Sequence, residues 1–162
     1  MLAQADVARF RDLHERRKHE QLKLDELAAY ESLREAFAAA FVKANRVSVR
    51  PGQTYRQAVR AACAIQVELT VEGRTHTTIT LELSGQGFAA LVGVFFDLEA
   101  PCAFRLRIRP NGLRGTGRVR ACERYGSGNM SYRVLVTFDP LSPSDAERVE
   151  GVVFDAALVS LG

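Results

Sequence analysis

At 162 residues, 47% apolar and 25% charged, the chain has the balance of a globular protein, which excludes wholesale disorder. It is long enough for one domain with a small appendage and needs no metal or disulfide staple to bury a core. The net charge of +3 is uneven: residues 101–133 hold eight arginines against the single acid Glu123, a local +7, while the rest of the chain sums to −4.

The first 46 residues contain no proline or glycine and are rich in Ala, Leu, Glu and Arg. Val7, Phe10 and Leu13 recur at helical spacing, and Leu27, Tyr30, Leu33, Phe37, Ala40, Phe41 and Ala44 form a second, longer stripe. Asp25 is the expected N-cap of the second helix, with Glu26 in its first turn. Residues 14–23 are almost wholly polar and separate the two stripes. The segment reads as a helical hairpin, or one long interrupted helix, ended by the breaker Pro51-Gly52.

From Cys63 onward the period changes to two. Cys63, Ile65, Val67, Leu69 and Val71 alternate with polar or small residues, and Glu72-Gly73 makes a hairpin turn. Thr77, Ile79, Leu81 and Leu83 continue the alternation on a second strand. Residues 84–87 form a loop, and residues 88–96 read as a buried strand or a pair of short strands. Phe104, Leu106 and Ile108 alternate with Arg105, Arg107 and Arg109 up to Pro110-Asn111-Gly112. Val119 and Ala121 lie on the next strand, Gly126-Ser127-Gly128-Asn129 turns it, and Tyr132, Val134, Val136 and Phe138 make the last. Ser142 then caps a closing helix with Pro143 at its first position and an apolar face of Val149, Val152, Val153, Ala156 and Ala157. The expected fold is α+β and mainly β. A helical region spans residues 1–46, and a small six-stranded antiparallel barrel with its closing helix spans 47–162.

Enzyme motifs are absent. His14 and His19 sit in a charged helical segment and His76 stands alone on a strand, so all three read as surface histidines. No serine occupies a nucleophile elbow, and Gly112, Gly115 and Gly117 read as turn and bulge glycines. Cys63, Cys102 and Cys122 are too widely spaced for a CxxC zinc site and read as buried thiols. The longest apolar run is far short of the ~20 residues of a membrane span. Asp6, Arg9, Arg11 and Asp12 interrupt the place where a signal peptide needs its apolar stretch. A cytoplasmic protein is expected, not an enzyme, with no cofactor, no metal and no membrane insertion.

One constellation stands out. Arg56 and Arg60 lie four apart in the segment leading into the first strand, and Glu82-Leu83-Ser84-Gly85-Gln86-Gly87 follows the second. In a hairpin the entry to one strand and the exit from the other share an end, so these groups should converge. Guanidinium forks facing a carboxylate, a hydroxyl and glycine-freed backbone suit a ligand carrying both phosphates and guanine edges.

RxxxR followed by (Asp/Asn)xSxxG on a small barrel resembles the PilZ domain of bacterial cyclic di-GMP receptors. The resemblance covers residues 54–158, including Gly117-Arg118-Val119, the strand ending at Phe138 with Asp139-Pro140, and the closing helix. It implies a PilZ barrel whose ligand is cyclic di-GMP. Arg56 and Arg60 would hold guanine and phosphate, and the stretch around Ser84 and Gly87 would grip the other face. Two positions depart from the pattern: Glu82 is one methylene longer than the family's Asp or Asn, and Tyr55 precedes the first arginine where relatives binding a stacked ligand dimer carry another arginine. Tyr55 would stack on a guanine or simply pack.

The function implied is a cyclic di-GMP receptor or effector that turns binding into a conformational or partner-interaction change, through an unknown protein partner. The alternative is a degenerate PilZ-like scaffold for protein interactions that does not bind the nucleotide. The stripe around Phe37 must find a surface, on the barrel or on a second copy, so a homodimer through the N-terminal helices is a further expectation. Nucleic acid is not expected as a partner, because few aromatic residues interleave the arginines.

Overall fold

The computed structural model describes residues 2–126 and 131–161. Its elements run α1 (Gln4–Lys18), α2 (Leu24–Ala44), α3 (Tyr55–Ala58), β1 (Arg60–Ala62), β2 (Gln66–Val71), β3 (Arg74–Ser84), β4 (Gly87–Val92), β5 (Pro101–Leu106), β6 (Leu113–Arg124), β7 (Tyr132–Phe138) and α4 (Pro143–Ser160). They fall into two compact units. One holds the chain up to Val59 together with the residues from Ala157 on, and the other holds Arg60–Ala156. Among the described residues no helix is long and apolar enough to cross a membrane.

In the first unit α1 and α2 form the expected hairpin around an aromatic cluster. Phe10 stacks on Phe37 and Tyr30, with ring centroids 4.9 and 5.8 Å apart. All three rings are buried, each contributing about 1.5–3 kcal/mol. The α2 stripe therefore finds cover on α1 of the same chain. Three expectations change. α1 continues to Lys18, so His14 is buried on the Phe10 face, with Nδ1 2.9 Å from the Tyr30 hydroxyl, and is no surface histidine. α2 begins at Leu24 with Lys23 as N-cap instead of Asp25, because the Glu26 carboxylate accepts the Lys23 N–H at 3.1 Å and also receives Arg16. α2 ends at Ala44, ahead of Pro51-Gly52. There the Asn45 amide donates to the Phe41 carbonyl at 2.9 Å, and Arg46 takes a φ of 52°.

In the second unit six strands close in the order β3-β2-β5-β6-β7-β4, with β4 returning to β3, and every pair is antiparallel. Val67, Leu69, Leu83, Phe88, Leu106, Val119, Val134 and Val136 are buried. Glu72-Gly73 turns as expected, with φ of 53° and 78°. Ser142 caps α4 by accepting the Asp145 N–H at 3.1 Å. The expected turn at Gly126-Ser127-Gly128-Asn129 lies, beyond Gly126, outside the described residues.

The alternation over residues 63–83 breaks in the middle. The first expected strand begins only at Gln66 as β2, and a short strand β1 that the alternation did not announce precedes it; both pair with β3. Between them Thr80, only 2% exposed, donates to the Cys63 carbonyl and accepts the Ile65 N–H. A bulge between Thr80 and Glu82 on β3 shifts the parity of the strand. Ile79 consequently lies 57% exposed, although the alternation groups it with the buried Leu83. Residues 88–96 yield a single strand, β4, after which Val94 and Phe95 turn outward and Phe96 inward.

Candidate functional site

Arg60 opens β1 and pairs across the sheet with Ser84, the last residue of β3, while Ala62 stands opposite Glu82. Arg60, Glu82 and the Ser84–Gly87 hairpin thus meet at one end of the barrel, as hairpin geometry requires. The Glu82 Oε1 accepts from Arg133 at 2.8 Å and lies 3.9 Å from the Arg60 guanidinium. Arg60 is the more open of the two arginines. Arg133 joins this cluster without any signal in the sequence, since only the strand order brings it there. Ala89 of β4 pairs with Glu82 on one side and with Leu135 of β7 on the other.

Ser84 and Gly87 close a two-residue hairpin. The Ser84 hydroxyl accepts the Gln86 N–H at 3.2 Å and faces the Gly87 carbonyl at 3.4 Å, so it shapes the turn locally. Gly87 has a separate reason to be glycine: a Cβ there would sit 2.0 Å from the Val136 carbonyl oxygen. The close approach of β4 to β7 demands it before any ligand is considered.

Arg56 and Tyr55 belong to the other unit, on α3. This single turn is held by a capping box in which the Thr54 hydroxyl accepts the Gln57 N–H at 3.1 Å and the Gln57 side chain accepts the Thr54 N–H at 3.0 Å. Arg56 lies 3.2 Å from Glu35 and 3.5 Å from Glu31, carboxylates four apart on one face of α2. Burial pushes the Glu31 carboxyl up, but the hydrogen bond and charge of Arg34, followed by the charge of Arg56, hold it below its ordinary value. Tyr55 is 42% exposed, with the Lys43 ammonium 5.8 Å from its ring centre. The Glu31/Glu35 pair was also missed. Its only sequence signal is two acids one helical turn apart.

The three thiols are free, two of them buried and Cys63 half-buried. Burial, with the nearby Asp139, pushes the Cys102 thiol up to about 11, which keeps it protonated and unreactive. Among the described residues no group of three His, Cys, Asp or Glu side chains could hold a metal ion.

The PilZ domain family matches residues 54–155, more than half of the chain. The chain belongs to the PilZ domain family. The match takes in Tyr55, Arg56, Arg60, Glu82, Ser84 and Gly87, and it starts at Thr54, the cap of α3. No curated protein matches the chain. Among solved structures, this PilZ chain is similar to K. pneumonia MrkH, with a TM-score of 0.54 and 15% identity over 65% of this chain and 50% of that one. It is similar to the PilZ domain of Escherichia coli YcgR, a structure with c-di-GMP, with a TM-score of 0.52 and 13% identity over 62% and 90%. It is also similar to the Bacillus subtilis inhibitor of motility MotI/DgrA, with a TM-score of 0.51 and 14% identity over 64% and 49%. The PilZ chain spans about half the length of MrkH and of MotI. What is shared at these identities is the fold.

Proposed function

We propose that this PilZ protein is a receptor for cyclic di-GMP, with Arg60, Arg56, Glu82, Ser84 and Gly87 around the dinucleotide and Tyr55 beside it. The observation that carries the reading is Arg60 standing opposite Ser84 beside the Glu82 carboxylate, on a PilZ barrel that keeps the RxxxR and xSxxG spacing. An open guanidinium fork suits guanine O6/N7 or a phosphate, and a carboxylate suits the N–H groups of the opposite guanine edge. Glu82 would meet that edge while sharing its charge with Arg133. A dinucleotide phosphate reaching Arg56 would replace Glu31 and Glu35 as its partner, and α2 would lose a cross-link. That exchange is how binding would be passed to a protein partner. A second copy would have to dock on what α1 leaves open on α2, beginning with Leu24, 86% exposed. Light scattering of the full chain with and without the dinucleotide tests this.

The competing reading, a scaffold that has lost the ligand, draws support from the prior engagement of Glu82 by Arg133 and of Arg56 by Glu31 and Glu35. A thermal melt separates the two. Ligand at a hundred times its Kd stabilises by about 2.7 kcal/mol, a rise of roughly 5–11 °C for a chain of this size. An unmoved transition at millimolar cyclic di-GMP favours the scaffold.

A further inference from the structure

The +7 stretch divides its arginines unevenly. On β6 and β7, Arg118 donates to the Glu99 carbonyl, Arg120 pairs with Glu99, and Arg133 pairs with Glu82. At the other end of the stretch, Arg105, Arg107, Arg109 and Arg114 are all exposed, and none has a carboxylate within ion-pair distance among the described residues. Arg105 and Arg114 are direct cross-strand partners, an arrangement of like charges that opposes folding. The one acid in the group, Glu68, faces Arg105 from β2 without pairing with it.

Three of these arginines line a cleft of about 560 Å³, with Gln66, Glu68, Arg105, Arg107, Arg109 and Asn111 in its wall, and Arg114 stands across the strand from Arg105. That volume is in the range of ligand sites. The cleft is also built to a shape. Arg107 is held by the Gln66 side chain at 3.1 Å. Gly112, at a φ of 73°, leaves room for Arg105, whose Nε a Cβ there would approach to 3.1 Å. The loop carrying Arg109 and Asn111 is tied down by Arg148 of α4, which donates to the carbonyls of Ile108, Pro110 and Gly112 at 3.1, 2.6 and 2.9 Å. The single large apolar side chain of the lining, Ile108, is itself buried. With no apolar anchor and no ring to stack on, the cleft cannot form the hot spot of a protein interface or a base platform. Its chemistry is that of phosphate contacts without base readout.

We propose that this cleft, lined from β2, β5 and the loop after β5 and sharing no residue with the Arg60–Glu82 cluster, is a second anion site that takes a phosphate-dense polyanion: a nucleic-acid backbone or inorganic polyphosphate. In the barrel β5 is separated from β3 by β2 and from β4 by β6 and β7, so the two sites are built on different strands.

The test is fluorescence anisotropy of the full chain with a labelled duplex of about 20 base pairs at about 50 mM salt, and with labelled inorganic polyphosphate, each repeated in saturating cyclic di-GMP. The expected result is binding of at least one probe, unchanged by the dinucleotide. For the duplex, the log–log salt slope should be about −3, from three or four neutralised phosphates. The pair R105Q/R107Q should weaken binding roughly tenfold or more and flatten the slope by about 2. R105K/R107K, which keeps the charge, should retain most of the affinity. R118Q/R120Q removes the same charge from β6 and should leave affinity and slope as they were. Duplex binding that polyphosphate does not compete for identifies a nucleic acid, and the reverse identifies polyphosphate. Failure of both probes, equal weakening by the two glutamine pairs, or displacement by cyclic di-GMP overturns the proposal.

Discussion

Arg60→Ala separates ligand binding from folding more cleanly than any other substitution at this site. The Arg60 side chain is 53% exposed, and its nearest carboxylate oxygen is 3.9 Å away, while Glu82 keeps its closer partner Arg133 at 2.8 Å. An exposed pair of that length is worth at most about 1 kcal/mol, so the melting temperature should fall by no more than about 2–4 °C. No buried charge is orphaned by the change. In the proposed complex, by contrast, the guanidinium would make a charge-assisted contact worth about 1.5–3 kcal/mol, and its loss corresponds to roughly a ten- to 150-fold weaker Kd. Calorimetric titration of both proteins with cyclic di-GMP, paired with their thermal melts, reads the two quantities separately. An unchanged Kd refutes the assignment of Arg60. A melt lowered by well over the expected few degrees would show that the arginine holds the barrel and that the exposure argument is mistaken.

Glu82→Asp pulls the carboxylate back from Arg133 and restores the family's side-chain length, so cyclic di-GMP should bind roughly tenfold tighter. Weaker binding in that variant would mean that the site has adapted to glutamate. Gly87→Ala places a methyl 2.0 Å from the Val136 carbonyl oxygen and should cost about 3 kcal/mol or more by overpacking, seen as a lowered melt even without ligand. The double change Glu31→Gln and Glu35→Gln removes two carboxylate charges beside Arg56 and should tighten dinucleotide binding, whereas unaltered affinity would show that Arg56 takes no part. Hydrogen bonding from Arg16, with its charge and the Lys23 amide, holds Glu26 down at about 2 from an ordinary 4.5. Because the folded value is the lower one, this contribution is complete above about pH 4.5 and is lost as pH falls towards 2. Melts across that window should decline in the wild type and lose part of that decline in Arg16→Ala.

Much of the barrel was legible because alternation and turn chemistry are local. Glu72-Gly73, the Arg105–Ile108 alternation and the Ser142-Pro143 cap each carry their own signal. The failures come from places where a distant partner decides. Ile79 faces out because a bulge beside Thr80 changes parity, and nothing in residues 74–84 announces it. His14 looks like a member of a charged helix until Tyr30 of the neighbouring helix supplies its hydrogen bond. At the site, Arg60 and Ser84 were readable from hairpin geometry alone. Arg133 was not, because its meeting with Glu82 depends on β4 lying between β3 and β7. Gly87 was read for its place in a ligand motif, yet the structure shows a packing reason that holds without ligand. Glu31 and Glu35 carry no motif and become visible only once Arg56 is seen against α2.

Calorimetric titration of cyclic di-GMP into the full chain decides whether this PilZ protein is a receptor. The receptor reading predicts a saturable isotherm that Arg60→Ala flattens, while its melt stays within a few degrees of the wild type. A wild-type titration with no heat beyond dilution and no shift of the melt, or an isotherm identical in Arg60→Ala, would contradict it.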